Sequence, residues 1–111
     1  MVLRVVIISM LLAMPAEAAS RGTKIAMAVA LLDVAEQYCK GAIAVDPDVR
    51  ENLFVHFHEY DIGGLSSAIS GPLNSFYEEF VAEAQSGRGA FCAEAPAQAA
   101  RTGYPVITMA D

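Results

Sequence analysis

Apolar residues recur along most of this chain at three- and four-residue steps, the spacing of one helix face. Ile25, Val29, Leu32, Glu36 and Cys39 fall on one side of a segment that Thr23 can cap and that runs to about Lys40. Ala28, Leu31, Ala35, Tyr38 and Ala42 widen its apolar surface. Alanine and leucine favour helix by propensity, and Gly41 follows as a stop.

Asp46-Pro47-Asp48 is the sharpest local signal. The Asp46 carboxylate can accept from free N–H groups, Pro47 suits the first helical position, and Asp48 suits the positive end of the dipole. A second helix is expected from there to about Tyr60, with Val49, Leu53, Phe57 and Tyr60 as its stripe and Phe54 beside it. Gly63-Gly64 breaks it, and residues 65–69 suit a short helical turn. Ser70-Gly71-Pro72 is expected to open a third helix, to about Ser86. Its Leu73, Phe76, Tyr77, Phe80 and Ala84 would face inward, and Glu78, Glu79 and Glu83 water. After Gly87-Arg88-Gly89, a short alanine-rich helix from Ala90 to Arg101 carries Phe91 and Cys92 near its start, with Pro96 able to split or bend it. The tail, about 104–111, reads as extended.

The N-terminus alters where this bundle would work. Arg4, the apolar run Val5 to Met14, Pro15 and the small-residue site Ala16-Glu17-Ala18 form a secretory signal-peptide pattern. The apolar run is too short for a membrane span, which needs about 20 residues. Cleavage after Ala18 would leave residues 19–111 as one helical domain, with no cysteine near the cut for a lipid anchor and so no stable membrane anchor. Losing Arg4 and Glu17 together leaves the net charge at −6.

Export makes the cysteines structural. Cys39 and Cys92 are the only two, so one intramolecular pairing exists, and a small domain gains most from such a staple. There is no C-x-x-C, which argues against a redox or metal pair. The expected architecture is a small all-α bundle of three to four helices, stapled by this disulfide from the end of the first helix to the start of the last.

Charge and motifs mostly exclude. An acidic domain lacks the basic footprint of a nucleic-acid binder. His56-Phe57-His58-Glu59-Tyr60-Asp61 is the one cluster with obvious chemistry, and His56, His58, Glu59 and Asp61 are its candidate metal ligands. On a helix the two imidazoles point about 200° apart, and only a strand would put them on one face. H-E-x-x-H is absent, so no metal and no cofactor is expected. Gly64-Leu65-Ser66-Ser67-Ala68 lacks the last glycine of a nucleophile elbow, and no catalytic residue is assigned.

In size, helical architecture and single bridge the chain resembles acid-stress periplasmic chaperones, with no motif shared. Gly89-Ala90-Phe91-Cys92 is similar to the late Phe-Cys pair of small exported helical immunity proteins, which usually carry more cysteines. Neither likeness gives membership. Together these features point to a periplasmic or secreted protein, not an enzyme, that binds another protein as an inhibitor, immunity protein or stress chaperone. The alternatives are a metal-binding or enzymatic protein centred on residues 56–61 and a structural subunit of an envelope assembly.

Overall fold

The computed structural model describes residues 16–64 and 67–110, with side chains from Arg21 onward and from Ile69 onward after the break. Four helices form the body: α1 (Ala16–Tyr38), α2 (Pro47–Ile62), α3 (Ser67–Ser86) and α4 (Arg88–Arg101). Two short strands, β1 (Ile43–Val45) and β2 (Ile107–Met109), make an antiparallel ribbon with Ala44 opposite Thr108. The fold is therefore all-α with a small strand clasp. Of the expected leader, residues 1–15 lie outside the described residues.

The α1 helix is the axis of the molecule. Ile25, Ala26, Ala28, Ala30, Leu31, Leu32, Val34 and Ala35 are all buried, so its apolar surface extends nearly round the helix. It packs against each of the other three helices, most extensively against α3. A helix apolar on several sides belongs at the centre of a bundle. Its exposed residues, including Lys24, Asp33, Glu36 and Gln37, are polar. Glu36 therefore departs from the inward stripe that the sequence suggested. The helix also begins earlier than a Thr23 cap allows, running through the expected cleavage position at Ala18. Gly41, at φ +84°, then turns the chain in the left-handed conformation that glycine adopts without a steric penalty.

The start of α2 follows the sequence signal closely. Asp46 Oδ1 accepts from the Asp48 and Val49 backbone N–H groups at 3.0 and 3.2 Å. Leu53 is fully buried, and Val49, Phe54, Phe57 and Tyr60 pack beside it. The α3 helix differs from expectation at its start, continuing through Gly71 and Pro72 from Ser67. The proline forfeits one backbone bond, but Ile69 before it is buried and extends the packed face in that direction. Phe80 and Ala84 are buried and Glu78, Glu79 and Glu83 exposed as the spacing implied, whereas Tyr77 is 36% exposed. Similarly, α4 starts at Arg88 and passes unbroken through Pro96, held by the buried stripe Phe91, Ala95 and Ala99.

Cys39, just after α1, is disulfide-bonded to Cys92 in α4, with their Cα atoms 5.6 Å apart. Such a bridge points to an environment outside the reducing cytoplasm. No helix among the described residues is long and apolar enough to cross a membrane.

The segment after α4 returns to the front of the molecule. Thr102 is buried, and its Oγ1 donates to the Ala99 carbonyl at 2.6 Å while accepting from the Tyr104 N–H at 3.1 Å. Gly103 reverses the chain at φ +86°. Val106 N–H then donates to the Tyr104 carbonyl at 2.7 Å, and Asp46 N–H to the Val106 carbonyl at 2.9 Å. The extended tail of the sequence reading is thus a paired strand, and its partner β1 was not anticipated.

Candidate functional site

The turn after α4 closes one end of a cleft of about 980 Å³. Arg21 and Lys24 line it from α1, Val49, Asn52, His56 and Tyr60 from α2, and Thr102 to Pro105 from the turn. The order follows from helical spacing. Arg21 and Lys24 are three residues apart and share a face, while Asn52, His56 and Tyr60 repeat at four. The cleft is open to solvent on one side and is held by elements from opposite ends of the described chain.

Its floor is a hydrogen bond. His56 Nδ1 and Tyr104 Oη lie 2.7 Å apart, the direction of the bond following the imidazole tautomer. The rings meet edge to face at 5.7 Å. Burial pushes the Tyr104 phenol above its usual value near 10; Arg21 opposes this, while Tyr60 and Glu59 add to it. Tyr104 is therefore a neutral hydroxyl near neutral pH.

That shift has a sign that can be checked. An acid whose folded pKa is raised holds its proton longer when folded, so its contribution is complete below about pH 10 and is lost as the pH climbs through the folded value. Titration followed by tyrosinate absorbance is expected to show a component above pH 10 that disappears in Tyr104→Phe. The same variant should lose about 0.5–1.5 kcal/mol in urea denaturation, since His56 loses its partner. An unchanged titration curve in the variant would contradict the assignment.

Electrostatics separates this cleft from its neighbours. Among the described side chains it is lined by two cations and no carboxylate, in a chain of net charge −6. A smaller groove between α1, α2 and α3 sets Asp33 and Glu36 with Arg50, and another along α3 and α4 carries Glu83 and Glu94. Among the described side chains, from Arg21 onward, neither Arg21 nor Lys24 has an ion-pair partner. Two like charges on one helix face repel, so their placement contributes nothing to the helix itself. Chemically, the cleft offers hydrogen-bond donors and positive charge around a partly apolar floor.

The sequence-predicted cluster is divided by the fold. The segment is helical, so the strand arrangement that would have aligned the two imidazoles does not occur. His56 faces the cleft, while His58, Glu59 and Asp61 are exposed. Among the described residues no three His, Cys, Asp or Glu side chains are placed to hold a metal ion. In the serine-rich segment, Leu65 and Ser66 lie outside the described residues. The cleft residues that the sequence reading missed are Arg21, Lys24, Asn52, Thr102 and Tyr104. The one available signal was a pair of cations three residues apart, Arg21 and Lys24, just before the apolar run that begins at Ile25.

The chain matches no protein-family model, no curated protein and no solved structure.

Proposed function

We propose that this chain is an exported protein, periplasmic or secreted, that acts without catalysis by binding another protein, and that the cleft is its docking site. The observation that carries the reading is the cleft itself. It is large enough for several side chains of a partner, and its donors Arg21, Lys24, Asn52 and Tyr60 line it from two packed helices. The helices that carry these donors are packed together, and a fixed scaffold lowers the ordering cost of contact with a specific partner. The leader pattern at Arg4 to Ala18 and the Cys39–Cys92 bridge support an oxidising location. A dedicated partner fits this site better than many clients, since promiscuous binders use flexible apolar surfaces.

The test is affinity capture by the oxidised protein from an envelope extract, at neutral pH and at about pH 3–4, where carboxylates protonate. One saturable partner at neutral pH is the expected result, re-formed as a defined complex from the two purified proteins. Many weak clients appearing only in acid would replace this reading with a holdase, and nothing saturable at either pH would remove it.

A further inference from the structure

From the charge of the cleft we infer the chemistry of its occupant: a carboxylate-bearing, acidic segment of the partner protein. This rests on the protein-binding reading and narrows it. The lining of the cleft is the reverse of the molecule that carries it. Arg21 and Lys24 supply formal positive charge, no carboxylate lines the site among the described side chains, and the whole chain stands at −6. An acidic ligand is repelled by the net charge of the chain and attracted to this cleft, which orients it as well as holding it.

The neutral groups agree with the charged ones. Tyr104 keeps its proton, Tyr60 supplies a second hydroxyl, and the Asn52 amide adds N–H donors. A guanidinium matches the two oxygens of a carboxylate in a planar fork, and Lys24 adds a point charge beside it. An opposing group is Glu59, exposed on α2, whose charge reaches Tyr104 from the rim. The cleft volume of about 980 Å³ exceeds what one carboxylate fills, and its Val49 and Pro105 walls suit the apolar parts of an extended segment. A short run containing Glu or Asp, with flanking apolar residues, fits both features.

The experiment uses the full oxidised chain and three probes at low ionic strength: an end-capped hexaglutamate peptide, the matching hexaglutamine peptide, and inorganic phosphate. Binding is read by fluorescence anisotropy for labelled peptides and by chemical-shift changes for all three. The glutamate peptide should bind, the glutamine peptide should not, and phosphate should compete weakly. Arg21→Gln and Lys24→Gln should each weaken binding about tenfold, the loss of one charge-assisted contact. Glu59→Gln should strengthen it about two- to threefold, and raising the salt to 150 mM should weaken it in every form. Arg21, Lys24 and Glu59 are exposed, and unchanged thermal melts would confirm that the variants fold.

Equal binding of both peptides, indifference to the Arg21 and Lys24 changes, or phosphate binding without glutamate binding would each overturn the inference. The two levels also fail separately. If the captured partner still binds Arg21→Gln/Lys24→Gln, protein binding stands and the acidic-segment inference falls. If nothing is captured but the glutamate peptide binds and both variants weaken it, the anion site stands and the protein-partner reading falls.

Discussion

Replacing Cys39 and Cys92 together by alanine is expected to lower stability by about 4 kcal/mol. The bridge spans 53 residues, and constraining a loop of that length in the unfolded chain gives this figure in the chain-entropy model. Domains this small rarely exceed the lower part of the 5–15 kcal/mol range, so the bridge accounts for about half the total. Its location raises the stakes further. Cys39 is the first residue past the central helix, and Cys92 sits on α4, which carries the turn that closes the cleft. Urea denaturation of the oxidised protein against the double variant measures the difference directly. A melting temperature lower by about 20 °C should accompany it, at roughly 4–8 °C per kcal/mol for a domain of this size. A change under about 1 kcal/mol would mean that helix packing alone holds α4 against α1.

Phe91→Ala is expected to cost about 3–5 kcal/mol, the cost of emptying a buried aromatic site. Phe91 is 3% exposed and lies at the end of a ring series, with its centroid 6.2 Å from Phe80, which in turn is 6.2 Å from Phe76. The series joins α3 to α4 beside the disulfide. The control is Val55→Ala on α2, where the side chain is 48% exposed and the change should stay within about 0.5 kcal/mol. Because Phe91 adjoins Cys92, its effect should not add simply to that of the cysteine variant, and a double-mutant cycle would read the coupling. If Phe91→Ala and Val55→Ala cost the same, the ring series is not what fixes α4.

These expectations divide along the same line as the legibility of the fold. The Asp46 cap was readable because its chemistry is complete within four residues, and the structure returns both of its hydrogen bonds. The disulfide was readable by elimination, with only two cysteines to pair. The start of α3 was not. Gly71 and Pro72 are breakers on local grounds, and the burial of Ile69 against the bundle overrides them. The ribbon was also hidden. Ile43–Val45 is too short to display a two-residue period, and its partner lies at the far end of the described chain. The same distance hid the cleft, since Arg21 and Lys24 acquire a role only when the Thr102–Pro105 turn is brought opposite them. The histidine cluster erred in the other direction: proximity in sequence suggested a site, and the helix turned His56 inward and left His58 outside.

The clasp between β1 and β2 has a consequence for the timing of synthesis. A chain made from its N-terminus presents Arg21 and Lys24 long before the wall opposite them, Thr102 to Pro105. Pairing of Ile107 with Val45 then draws that wall into place across most of the chain, a slow kind of contact to form. The helices can collect around α1 while the cleft is still half built. A clip that removed β2 from the folded molecule would free one wall of the cleft and withdraw the buried Ile107 from the core.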